Sequence, residues 1–180
     1  SLGRDVLSRI LYGARLTLIV AFFAGIITCI VGATLGLIAG YYRGWADRII
    51  SRFVDIWIAF PPVLFAILLI AVLGPGLFSI IIAIIIIDWT RFARVIRAEA
   101  MSQGAMDYVA SAQVACRTKL DTMLSEILPN VHPTIIALLT LEMGISVSVE
   151  ASLSFVNLSI STDSPTWGGM ISEGRTSVHR

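Results

Sequence analysis

This sequence is short of charge. Only 14% of its 180 residues are Asp, Glu, Lys or Arg, against 57% that are hydrophobic, and the mean hydropathy is +0.88. Soluble domains run near a quarter charged and below about half apolar, so the composition argues against a water-soluble fold. Lysine occurs once, at Lys119, and no GxxxxGK[ST] run is present, which excludes nucleotide binding of the phosphate-loop kind. Cysteine occurs twice. Cys29 and Cys116 are far apart and in no metal-ligand or CxxC spacing, so they read as small apolar fillers. His132 and His179 have no second His, Cys or carboxylate at ligand spacing, and the serines lack a paired histidine base. No catalytic, metal or cofactor residue is therefore expected. The net charge of +1 is too small for a nucleic-acid footprint.

Long uncharged runs fill the chain instead. The first, Leu16 to Gly40, is too long for a secretory leader and is followed by others. About 20 apolar residues cross a bilayer as a helix, so this run predicts a membrane span. Three more follow: Val54 to Leu73 with Pro61-Pro62 inside, Leu77 to Ile87, and Val131 to Val156. Lipid offers no partner to exposed backbone groups, so each should be helical. The expected fold is an all-α, polytopic membrane bundle of about four to five helices. The connections are Tyr41–Phe53, a tight Gly74-Pro75-Gly76 turn, and Arg91–Leu128, which should hold short helices outside the lipid. The end of the chain, from Asn157, is rich in Ser, Thr and Gly, with a brief helix expected from Met170.

Four spans put Arg4, Arg9, Arg15, Arg175 and Arg180 on one side of the membrane. On the other lie Arg43, Arg48, Arg52, Arg91, Arg94, Arg97, Arg117 and Lys119. Five basic residues against eight place the second set in the cytoplasm by the positive-inside rule.

Several residues stand out within the spans. Gly32, Gly36 and Gly40 repeat at four-residue spacing and predict a flat groove for close helix packing. Pro61 interrupts the second run and predicts a kink. Asp55 and Asp88 lie at span edges beside Arg52 and Arg91, which are their expected partners. An unpaired charge at the bilayer centre costs at least ~2.5–3.5 kcal/mol, so Glu142 and Glu150 need an account. Eight residues apart, they sit about 80° around a helix and can share one polar seam, such as a pathway or a subunit interface. An ion-coupled secondary transporter would use these two acids as ligands. The long polar loop and the lack of an internal inverted repeat argue against that alternative.

The loop carries the remaining signal. Asp107–Asn130 reads DYVASAQVACRTKLDTMLSEILPN, with small residues at Ala110, Ser111, Ala112 and Ala115 and a basic turn at Arg117 and Lys119. A helix–turn–helix with a smooth surface suits docking to a partner protein. This stretch resembles the EAA loop of the membrane subunits of binding-protein-dependent ABC importers, which ends in the same Ile-Leu-Pro. LGRDVLSRILYGARLTL, DWTRFARVIRAEAM and EASLSFVNLSI…SPTWGGMISEGR agree in order and spacing, and together resemble the second permease subunit of the dipeptide/oligopeptide/nickel importer group.

The resemblance implies a single transmembrane permease domain over 1–180, with a coupling loop at 104–128. It also implies a further helix before Ser1 and another after Arg180, making six spans in the intact inner-membrane subunit. The implied partners are a second homologous permease, two cytoplasmic ATPase subunits that bind ATP and Mg, an extracytoplasmic substrate-binding protein, and membrane lipid. Nucleic acid is not among them. The role of contacting the ATPase would fall to Asp107, Tyr108, Ala110, Ser111, Ala112, Ala115, Cys116, Arg117 and Lys119. Ala110 stands where the family usually has glutamate, and Cys116 where it usually has glycine.

Overall fold

The computed structural model describes residues 6–155 and 166–178. Among these the chain is helical, with no strand. Helix α1 (Val6–Tyr42) starts ten residues before the first apolar run, because nothing in the lead-in stops it. Arg43 and Gly44, with φ of 54° and 59°, then turn the chain into α2 (Gly44–Ile58).

The second expected span is not one helix. It breaks into α2 and α3 (Pro62–Leu73), which meet at 85°. The break has a local cause. Ala59 and Phe60 donate back to the Ile56 and Trp57 carbonyls in tight turns, and Pro61 has no N–H with which to continue the ladder. Pro62 then opens α3 at the first helical position, where a missing N–H costs nothing. Gly74, at φ 84°, ends α3 by donating to the Ile70 carbonyl at 2.8 Å.

Helix α4 (Leu77–Gln103) also differs from expectation. The apolar run does not end at Ile87 but continues as the same helix through the charged segment. No Gly or Pro interrupts residues 77–103. Phe92, Ala93, Ile96 and Ala100 keep one face buried, while Arg91, Arg94 and Arg97 follow another at three-residue spacing.

Next come α5 (Asp107–Val114) and α6 (Lys119–Thr122), the latter capped by Thr118, whose hydroxyl accepts from the Asp121 N–H. A wide π turn, Met123–Ile127, leads into α7 (Leu128–Phe155), where Leu128 donates to the Met123 carbonyl. Helix α8 (Trp167–Val178) begins three residues before the expected Met170. The Thr166 hydroxyl receives the Gly169 N–H at 3.2 Å and so caps its first turn. Residues 156–165, which hold part of the final sequence motif, lie outside the described residues.

Among the described residues, two helical stretches, Val6–Tyr42 and Lys119–Phe155, are long and apolar enough to cross a membrane, and the bent α2–α3 pair adds a third if it forms one span. The chain divides into two compact units. One comprises Ser1–Ile26, Pro62–Ile86 and Leu141–Arg180; the other comprises Ile27–Pro61 and Ile87–Thr140.

In the first unit, Val20, Ala24, Ile70, Ile80, Ala83 and Ile84 are buried. A polar row runs along the buried face of α7: Glu142, Ser146, Glu150 and Ser154 repeat at four-residue spacing and all are buried, with Leu153 beside them. Glu150 accepts from the Thr17 hydroxyl at 2.9 Å, and Ser154 and Thr166 are bonded through their hydroxyls. Arg9 and Glu173 form a bidentate pair at 2.9 and 3.2 Å, and Trp167 donates from Nε1 to the Ile10 carbonyl.

In the second unit, α4 fills the glycine groove of α1. A methyl at Gly32 would strike the Trp89 carbonyl and Phe92 Cβ. One at Gly36 would lie 2.7 Å from the Ala93 carbonyl, and one at Gly40 would lie 2.8 Å from Ala100 Cβ. The backbones therefore touch without intervening side chains. Asp47 of α2 grips Arg97 of α4 through both carboxylate oxygens, and Arg43 donates to the Met101 carbonyl at 3.0 Å.

Candidate coupling site

The candidate coupling segment lies in the second unit. Val109 is 1% exposed and joins Ala33, Leu37, Ile96, Ala100, Met123, Ile127 and Val131 in one apolar cluster. One buried side chain thus ties α5 to α1, α4 and α7 together. Tyr108 braces the same side, donating its hydroxyl to Gln103 Oε1 at 2.8 Å. Burial holds the Tyr108 phenol above its ordinary pKa.

The small-residue surface read from the sequence is divided by this packing. Ala112 is buried on the inner side and forms no part of an outer surface. Ala110, Ser111 and Ala115 are exposed, with Val114 among them at 85%. Ser111 turns its hydroxyl back to the Asp107 carbonyl at 2.9 Å, so it presents no unused donor outward. Asp107 opens α5, where a carboxylate suits the helix dipole.

The end of α5 shows what glycine would supply at position 116. Arg117 donates its N–H to the Ala112 carbonyl and Cys116 donates to Gln113, the paired bonds of a Schellman motif. That motif needs a left-handed residue at its turn, and Cys116 takes it, with φ 56°. Glycine does this without a Cβ penalty. Ala110 falls on the exposed face, where a longer glutamate would point away from this chain.

Arg117 is drawn inward. Its Nη1 donates to Ser125 Oγ and Glu126 Oε1, both at 2.8 Å, and its Nε lies 3.6 Å from Asp121. It pins the turn to α6 and the π turn. Lys119 is exposed at the start of α6.

The other singled-out residues lie elsewhere. Pro61 sits at the 85° bend. Glu142 and Glu150 are 1% and 0% exposed, packed inside the first unit with Thr17 as one partner of Glu150, and neither presents an exposed surface. Asp88 pairs with Arg91 at 3.1 Å as expected. Asp55 does not pair with Arg52, which is on its own helix; its partner is Arg94 of α4, at 3.4 Å. Sequence reasoning missed Val109, Thr17 and the Asp47–Arg97 link. A hydroxyl such as Thr17 inside an oily run was a usable signal; the other two depend on which helices meet. Among the described residues no group of His, Cys, Asp and Glu can hold a metal.

Among the described residues this is an all-helical, multi-pass membrane protein with the short helix α5 packed against its long helices. Residues 32–178 match the family of binding-protein-dependent transport system inner membrane components, and the chain belongs to that family. It is 38% identical over 178 residues to the glutathione transport system permease protein GsiD of Pectobacterium atrosepticum, covering 99% of this chain and 59% of that protein. It is 42% identical over 173 residues to the dipeptide transport system permease protein DppC of Alkalihalophilus pseudofirmus, covering 96% of this chain and 57% of that protein. The chain thus spans rather more than half the length of the curated relatives it matches.

Proposed function

We propose that this chain belongs to a permease subunit of an ATP-driven importer and contributes half of a translocation path for small peptides, glutathione-like peptides or a related solute such as a nickel complex. Relatives named for glutathione and dipeptide transport support the peptide class. The partners are a second permease, two ATPase subunits that bind ATP and Mg, and an extracytoplasmic binding protein that brings the substrate. The chain itself carries out no chemistry.

The observation that carries this reading is the two-sidedness of α5. Its inner face is locked by Val109 into a cluster shared with α1, α4 and α7, with Ala112 buried on the same side, while Ala110, Val114 and Ala115 face outward. A partner pressing on the outer face cannot slide α5 alone, because moving it would open a packed core. Displacement of the docked ATPase is therefore delivered to the ends of three long helices. Small outer side chains let the partner approach closely and lose little side-chain entropy on binding.

The test is affinity purification of the tagged intact subunit in mild detergent, comparing wild type with Val114→Trp and Ala115→Trp. The wild type should bring down an ATPase and a second permease. Each variant should lose the ATPase, keep the second permease, and unfold at an unchanged temperature. A wild-type subunit that purifies alone would refute the importer reading, and uptake driven by an ion gradient would then be measured.

A further inference from the structure

The helical path from Lys119 to Phe155 is not wound evenly. Over Met123–Ile127 it widens into the π turn, in which the Leu128 N–H reaches back five residues to the Met123 carbonyl. Single π turns inside α-helices are frequent at functional sites. Pro129 favours the widening. It has no N–H to give the Ser125 carbonyl, and in an α-helix its ring would clash with that carbonyl. A local π adjustment relieves such a proline. One residue on, the Glu126 carbonyl is taken by a side chain, Asn130 Nδ2 donating at 2.7 Å. The regular α-helical ladder is therefore interrupted between α6 and α7.

Arg117 spans this interruption. Its backbone N–H closes the end of α5 on the Ala112 carbonyl. Its Nη1 donates into the π turn, to Ser125 Oγ and Glu126 Oε1, both at 2.8 Å. Its Nε faces the Asp121 carboxylate of α6 at 3.6 Å. One residue thus joins the end of α5, α6 and the turn that opens α7. Val109 shares an apolar cluster with Ile127 and Val131 and ties the same elements together. Apolar contact is non-directional, however, and resists separation more than rotation. A planar guanidinium with fixed donor directions holds an angle.

We propose that Arg117 is a positioning residue for coupling: it fixes the angle between the end of α5 and the start of α7, and so passes a displacement of α5 across the π turn. This rests on the importer reading above, in which an ATPase moves α5. Arg117 acts through Ser125, Glu126 and Asp121 of its own chain rather than by holding the ATPase. With its donors removed, α5 still docks and still moves, but the start of α7 no longer follows. Which solute the transporter carries makes no difference to this role.

The experiment uses the intact transporter, co-purified through the tagged subunit and held in nanodiscs. Amide hydrogen exchange is read over 107–114 and 128–140, with and without a non-hydrolysable ATP analogue and Mg. In wild type the nucleotide should change exchange in both segments. Arg117→Met keeps the apolar stem without the donors. It should retain the ATPase and the full change over 107–114, and lose about fivefold or more of the change over 128–140. Glu126→Gln, at the other end of the pair, should lower the same response in the same direction. Both variants should unfold at the wild-type temperature, because pairs this exposed add little to stability. A wild-type response over 128–140 in both variants overturns the proposal and leaves the importer reading in place. Loss of the ATPase from Arg117→Met also overturns it, since the residue would then be a contact. No nucleotide response over 107–114 in wild type overturns the importer reading, and the proposal with it.

Discussion

Replacing Gly36 with alanine tests the α1–α4 contact directly. The added Cβ would lie 2.7 Å from the Ala93 carbonyl oxygen, 3.0 Å from the Arg97 amide nitrogen and 3.0 Å from Ile96 Cβ. Nonbonded carbon and oxygen atoms rest near 3.3–3.6 Å. The helices must therefore part by roughly half an ångström or more, and neither can yield locally, because the atoms met include backbone in an unbroken helix. Overpacking of this kind costs about 1–3 kcal/mol. The substitution also gains helix propensity, about 0.8–1.0 kcal/mol for Gly to Ala in a helix interior. With rigid backbone on the far side the upper half of the cost applies, leaving a net loss of about 1–2 kcal/mol.

Gly144 of α7 supplies the control. A methyl there meets nothing within 4 Å, so Gly144→Ala keeps the propensity gain without the clash. Thermal unfolding of the intact subunit in detergent, followed by far-ultraviolet circular dichroism, should show the two variants moving in opposite directions from wild type. If Gly36→Ala matches or exceeds wild type, the close approach of α1 and α4 is wrong. If both variants fall together, glycine is serving flexibility rather than contact, and the reasoning fails at its base.

Three further outcomes are expected. Cys116→Gly should stabilise the coupling segment by about 0.5–1 kcal/mol, since relief of the left-handed strain, about 1–2 kcal/mol, exceeds the added chain entropy. Slower limited proteolysis between α5 and α6 would register it, and faster cleavage would refute it. Thr17→Val should cost about 1–3 kcal/mol of unfolding free energy, because buried Glu150 loses the hydroxyl that donates to it; an unchanged denaturant midpoint would contradict that bond. Val109→Ala should cost about 2 kcal/mol and release α5 from its base, raising amide hydrogen exchange across 107–114 more than elsewhere.

What the sequence made legible was what a single segment encodes. The glycines at 32, 36 and 40 need no partner to announce a groove, and paired prolines at 61 and 62 remove two successive donors from a helical ladder. A short helix was visible in DYVASAQV. Its sidedness was not: Ala110 and Ala112 are chemically identical, and only the meeting of α1, α4 and α7 at Val109 decides which one is buried. The length of α4 was hidden for a related reason. Arg91, Arg94 and Arg97 read as the start of a loop until Asp47 supplies Arg97 with a partner, and buried Ile96 and Ala100 hold the helix together. Asp55 shows the same limit. Its neighbour in sequence was Arg52, but helix geometry turned it toward Arg94 of another helix.

The backbone contact in the glycine groove also bears on how the protein can change. A clash between two side chains can be relieved by trimming either one. At Gly36, two of the three atoms met are the Ala93 carbonyl oxygen and the Arg97 amide nitrogen, which every amino acid except proline at 97 would present equally. No substitution at residue 93 or 97 can make room. In a selection for suppressors of Gly36→Ala, compensating mutations on the facing side chains should be missing, and restoration of glycine should dominate the survivors. The groove is inherited as a unit, closed to the stepwise exchange by which packed cores usually drift.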